Sequence, residues 1–190
     1  MDKKNGKNSF HNMKKTLVWL DLENCRVPRD LPKKNVYPRI KKTLREDGYG
    51  GKLKIKIVML FEDCEVPEPL LKKMSLIRVT NYPRPSASES EERNDNQIVD
   101  DFIKLDITKW LHTKPKPHNV MIPSSNVDFS DIARKVKKKG HSFLMAYDDN
   151  RTDKNQKKES AAKLLKLAEC DWTWRKSLGL PKYQLNQDLR

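Results

Sequence analysis

The sequence lacks any apolar run of membrane-spanning length; its longest apolar stretches are Leu17–Leu20 and Ile57–Phe61. The first follows basic residues but ends at Asp21, too early for a signal peptide, and no membrane partner is expected. Cysteine is scarce: Cys25, Cys64 and Cys170 are odd in number and far apart. That pattern excludes a disulfide framework and a zinc site. It points to a reducing, intracellular setting. The histidines His11, His112, His118 and His141 are scattered without metal-ligand spacing. Acids are the minority charge: Lys plus Arg number 40 against 26 Asp plus Glu, a formal net charge of +14. Such an excess suits a polyanionic partner, nucleic acid first.

With 36% apolar and 35% charged residues over 190 positions, the chain supports one modest core and a large solvated surface. There is no internal repeat, so one domain is expected. Residues 1–15 are polar, basic and aperiodic and read as an arm; residues 16–178 form the domain and 179–190 a tail. Apolar runs at Thr16–Leu22, Lys54–Phe61, Ser75–Thr80, Asn119–Ile122 and Ser142–Tyr147 read as strands, with a short final strand at Asp171–Trp174. Helices are expected at Val36–Glu46, from Pro67 to about Met74, and at Asn94–Leu111 with Ile98, Phe102 and Leu105 as its stripe. Another should begin near Phe129 and end at Gly140, and a last one should carry Ala161, Leu164, Leu165 and Ala168. Strands alternating with helices give an α/β fold, a mainly parallel sheet of about five strands covered on both faces.

In such sheets ligands bind at the carboxyl ends of the strands, where strand order reverses. Asp21 and Glu23 end the first strand, and Asn126 and Asp128 follow the fourth. With strand order 3-2-1-4-5 these two places are neighbours. Asp95, Asp100 and Asp101, at the start of the longest helix, reach the same rim. Crowded carboxylates repel unless a hard cation sits among them, and oxygen ligands select Mg²⁺ or Mn²⁺. A cation held there could act on a phosphodiester while lysines and arginines hold the polyanion.

Each of these residues also has a plainer reading. Asp21 and Asn24 are common turn residues. Asp128 has Asp131 three positions on and suits a helix N-cap, as does Asp95 for its own helix. Asp101 lies about 240° around that helix from Asp95 and also reads as a solvated helix acid, as Asp100 does more strongly. The basic run Arg134, Lys135, Lys137, Lys138 and Lys139 suits either RNA or a helix dipole. Trp19, Trp172 and Trp174 read as core or edge packing, and Cys25 as a buried thiol. Asp21-Leu22-Glu23 also echoes an aspartyl-phosphate hydrolase, but Cys25 stands where Thr or Val is needed and no downstream lysine motif follows.

Val18-Trp19-Leu20-Asp21-Leu22-Glu23-Asn24-Cys25-Arg26-Val27-Pro28 resembles the opening of the NYN domain, a PIN-like ribonuclease fold, and most of all the plant relatives of the meiosis arrest female regulators of mRNA stability. Asp95–Asp101 looks like the family's middle helix, and Ser124–Ser130 its Ser-Gly-Asp-x-Asp-Phe-Ser element. Ala168–Leu178, with Trp172 and Trp174, is similar to the tryptophan-bearing end. The resemblance implies a Rossmann-like, PIN-like fold and an Mg²⁺-dependent endoribonuclease that acts on single-stranded RNA in post-transcriptional regulation. It implies a centre of Asp21, Asn24, Asp95, Asp101, Asn126 and Asp128, with Asp21, Asp101 and Asp128 on the metal. Asn126 stands where the family pattern has Asp, and Ser125 where it has Gly. An Asn offers a neutral oxygen but no charge, so a second outcome is implied: a catalytically degenerate, RNA-binding relative.

Overall fold

The computed structural model describes residues 14–22, 25–60, 68–79, 95–113, 116–124, 126–147 and 162–181. The expected arm up to residue 13, Glu23, Asn24, Ser125, the loop 80–94, the charged loop 148–161 and the tail from 182 lie outside them. Six strands form one sheet: β1 Thr16–Asp21, β2 Leu53–Leu60, β3 Ser75–Val79, β4 Asn119–Pro123, β5 Ser142–Tyr147 and β6 Cys170–Thr173. Their order is β3-β2-β1-β4-β5-β6 and every pairing is parallel. The Rossmann-like expectation holds, with six strands in place of about five.

The strands carry apolar side chains on both faces because helices cover both. Along β1, Val18 and Leu20 enter one core cluster and Trp19 the other. The first cluster lies under α1 (Val36–Glu46), α2 (Glu68–Leu71) and α5 (Trp174–Ser177). The second lies under α3 (Asp95–Thr113), α4 (Ser130–Lys138) and a helical turn at 162–165. Gly140 ends α4 as expected: its φ is +77°, and the Gly140 and His141 N–H groups donate to the carbonyls of Lys137 and Val136 at 2.9 and 3.2 Å.

One expectation is corrected. The buried stripe of α3 is Val99, Ile103, Ile107 and Leu111; of the expected stripe, Ile98 is buried at its margin and Phe102 packs partly against the same cluster, but Leu105 is 50% exposed. Spacings of four along the first set match the helical repeat and lay four branched or long apolar chains against the sheet. The stripe decides where the acids of this helix point, because Asp100 sits three residues before Ile103 on that same inward side.

Candidate active site

The site begins with a local failure of pairing. The ladder between β1 and β4 joins Thr16, Leu17 and Val18 to Asn119, Val120 and Met121, while the strands continue to Asp21 and Pro123. The two carboxyl ends flank a crevice at the point where strand order reverses. After Asp21 the chain turns sharply, and the Cys25 N–H donates to the Asp21 carbonyl at 2.9 Å. The buried Cys25 thiol then donates to the Pro123 carbonyl at 3.3 Å, stitching the turn to β4.

Asp21, two residues on from Trp19, lies on the sheet face that α3 covers, and it is only 1% exposed. Asp100 approaches from α3 and is 2% exposed. Burial, above all, pushes the Asp100 carboxyl up to about 6. The neighbouring charges of Asp21 and Asp128 raise it further, while Asn126 and Lys104 hold it back. Asn126 Nδ2 donates to Asp100 Oδ2 at 2.7 Å, and Asp100 Oδ1 is buried with no hydrogen-bond partner. A buried carboxylate with an orphaned oxygen is costly, and such costs concentrate at functional sites.

The Asn126 carboxamide works at both ends. Its Oδ1 accepts from the Asp128 N–H at 3.0 Å and caps the 3₁₀ turn Val127–Phe129. Asn126 is therefore the cap, not Asp128, whose side chain is exposed at the mouth. The Asn126 N–H donates in turn to Ser124 Oγ at 3.1 Å.

A family model for the NYN domain matches residues 15–166. The chain belongs to the NYN domain family. NYN domains are nuclease-like and RNA-binding, and the parallel sheet with helices on both faces is their PIN-like fold. The structure is also similar to a crystal structure of a protein of unknown function from Vibrio parahaemolyticus, at 13% identity and a TM-score of 0.53, over 88% of this chain and 96% of that one. That likeness shows the fold alone. No curated protein matches the chain.

Within this NYN domain the sequence-based site is redistributed. Asp21, Asn126 and Asp128 meet at one rim with Asp100, which had both a rim reading and a plainer solvated reading; its burial removes the plainer one. Asp101 lies about 100° further around α3, half-exposed, and accepts from Lys104 Nζ at 3.0 Å. Asn24 falls outside the described residues; Asp95 opens α3, and its side chain is not among those described.

Among the described residues no three His, Cys, Asp or Glu side chains form a ready metal cluster. Mg²⁺ does not demand one, since it keeps several waters and is commonly held by one or two carboxylates plus a substrate phosphate. Asp21 and Asp100 supply hard oxygen donors, and the orphaned Asp100 Oδ1 is an acceptor that a cation would satisfy. The residues fit a hard divalent ion.

Of the basic run on α4, Arg134 pairs with Asp131 at 2.7 Å and Lys137 Nζ donates to the Leu167 carbonyl at 3.0 Å. Lys135, Lys138 and Lys139 are exposed. The chain after β6 holds the loop that follows the Asp21 turn. Trp174 Nε1 donates to the Arg26 carbonyl at 2.8 Å, and Arg175 grips Asp30 with two nitrogens at 3.1 and 2.6 Å. That guanidinium holds the Asp30 carboxyl below its ordinary range. Trp174 is thus core packing, as expected, and also a strut for the site loop. The Arg175–Asp30 pair was not found from sequence; Asp100 was among the acids expected near the rim, and its place at i, i+3, i+7 with Ile103 and Ile107 was the available signal for preferring it to Asp101.

Proposed function

We propose that this protein is an Mg²⁺- or Mn²⁺-dependent endoribonuclease that acts on single-stranded RNA in post-transcriptional regulation of gene expression, as the likeness to the plant relatives of the meiosis arrest female regulators implies. The observation that carries the reading is the burial of Asp21 and Asp100 near enough for the charge of one to act on the other at the strand-order switch, with Asp100 Oδ1 unsatisfied. In this reading Asp21 and Asp100 hold the cation, and Asp128 stands at the mouth where the phosphodiester arrives. Asp101, which the sequence favoured, is committed to Lys104. When bound, the ion neutralises charge on the phosphodiester and lowers the pKa of a coordinated water.

The chain's own residues do the rest. Asn126 orients Asp100 by donating to Oδ2, which leaves Oδ1 free to accept from a bound group. The Cys25–Pro123 and Trp174–Arg26 hydrogen bonds keep the Asp21 turn in place. Asn24 is assigned to positioning Asp21 or the scissile phosphate, as the family resemblance implies. The exposed Lys135, Lys138 and Lys139 hold flanking phosphates. The test is purified protein with labelled single-stranded RNA and Mg²⁺ or Mn²⁺, beside Asp21→Asn. Cleavage by wild type and none by the variant is expected; RNA left equally intact by both removes catalysis.

Asn126 favours a second reading, an RNA-binding NYN domain whose metal site has decayed. Its carboxamide supplies a donor to Asp100 where a carboxylate would supply charge to a cation. Asn126→Asp discriminates: cleavage that appears only in this variant makes the natural protein a degenerate relative.

A further inference from the structure

Because every strand is parallel, every strand also begins at one edge, opposite the acids. The backbone ties those beginnings together. Thr16 N–H donates to the Lys52 carbonyl at 2.9 Å, Asn119 N–H to the Lys15 carbonyl at 2.8 Å, and Ser142 N–H to the His118 carbonyl at 2.9 Å. Gly51 lies so close to Lys14 that a Cβ there would sit 1.9 Å from its carbonyl oxygen, so the segments are pressed edge to edge. The residues entering four strands therefore make one continuous surface.

That surface is cationic. Lys15, Lys52, Lys54, Lys116 and Lys139 are exposed on it, and Lys14 reaches across to donate to Ser142 Oγ at 3.2 Å. Segments 14–16, 51–54, 116–119 and 138–142 contain no Asp or Glu. Among the described residues none of these lysines is in an ion pair. Complementing a helix dipole accounts for Lys139 at the end of α4, but the others lie in strand ends and loops where no helix terminus needs them. Among the described residues the exposed large apolar side chain is Leu105, on α3, so the edge offers charge without an inserting apolar group.

We propose that this amino edge of the sheet is a phosphate-holding surface for single-stranded RNA, separate from the acidic rim and acting as an anchor for the flank of the bound strand. It rests on the reading that RNA is the partner. A six-residue strand is about 20 Å long at roughly 3.3 Å per residue, so an RNA must run that distance to occupy both edges. Longer RNAs bind through both edges and short ones through one.

The experiment measures binding of a labelled single-stranded RNA of about 16 nucleotides over a salt series. It compares wild type, the triple variant Lys52→Gln/Lys54→Gln/Lys116→Gln, and a charge-matched α1 triple, Lys33→Gln/Lys34→Gln in the 3₁₀ turn that leads into α1 with Lys41→Gln on the helix. All six side chains are exposed, and unchanged melting confirms that both variants fold. Each lost phosphate contact lowers the slope of log K against log salt by about 0.7, so the amino-edge triple is expected to lose about 2 from the slope and at least tenfold in affinity near 0.1 M salt. The α1 triple should keep the wild-type slope. Equal losses in both triples, or none at the amino edge, overturn the anchor while RNA stays the partner. A wild type that ignores RNA yet sediments with phosphatidylserine vesicles overturns the RNA reading itself.

Discussion

At the carboxyl edge, Asp21 and Asp100 are buried, and Asp100 holds its proton up to about pH 6 with one oxygen unsatisfied. At the amino edge of the same strands, lysines stand hydrated and unopposed, at little cost. The separation of about 20 Å exceeds the Debye length of about 8 Å at physiological salt, so the lysines barely neutralise the acids. The difference shows how a chain of net charge +14 keeps a carboxylate site. One edge carries its charge buried and close together, where it can act on a bound group; the other carries it spread and solvated, where it can hold a polyanion.

The largest expected effect separates the edges by function. Asp21→Asn or Asp100→Asn should lower Mg²⁺-dependent RNA cleavage by more than about 100-fold, with RNA affinity within about twofold of wild type. The amino-edge triple should do the reverse, weakening binding while a substrate too short to span the sheet is cleaved at the wild-type rate. Rates and affinities that fall together in both sets of variants would erase the distinction.

A smaller effect concerns stability. The folded pKa of Asp100 lies above its unfolded value, so the folded state binds the extra proton between about pH 4 and pH 6. Stability of the metal-free protein should fall as pH rises through that window, and the full cost is present above it. Asp100→Asn should remove this dependence and raise stability at pH 7 by roughly 2 kcal/mol, read from urea melts at both pH values. Mg²⁺ should bind more tightly as pH rises through 6, because it displaces that proton.

Smaller again, Arg175→Met should cost about 1–2 kcal/mol, since the guanidinium is buried while Asp30 is half-exposed, and should slow cleavage by loosening the loop after Asp21. Lys14→Met, at the opposite edge, should change stability by less than about 0.5 kcal/mol and RNA affinity only modestly.

Much of this was legible in the sequence. The run Thr16–Asp21 and the acid that ends it, the helix Val36–Glu46 and the Gly140 stop all carry local signals, and the structure places them where those signals point. Asp100 was misread for a stated reason. Ile98, Phe102 and Leu105 and the set Val99, Ile103, Ile107 and Leu111 both satisfy a helical repeat, and only the sheet decides which is central: the second set is, with Ile98 and Phe102 at its margin and Leu105 in solvent. The choice rotates the helix by about 100° and exchanges Asp100 for Asp101. The His118–His141 pairing was invisible as well. His118 N–H donates to His141 Nδ1 at 3.0 Å, and Trp110 packs its ring against both, across separations that no spacing rule marks. Burial and the proximity of His118 and Lys14 hold His141 below its ordinary range.

The central claim is that Asp100, turned inward by the stripe it shares, joins Asp21 in holding a divalent ion. A titration with Mn²⁺ at pH 7.5, followed by electron paramagnetic resonance, tests it on wild type, Asp100→Asn and Asp101→Asn. Saturable Mn²⁺ binding that weakens at least about tenfold in Asp100→Asn and is unchanged in Asp101→Asn is the expected result. Equal binding by all three proteins, or a loss confined to Asp101→Asn, would contradict it.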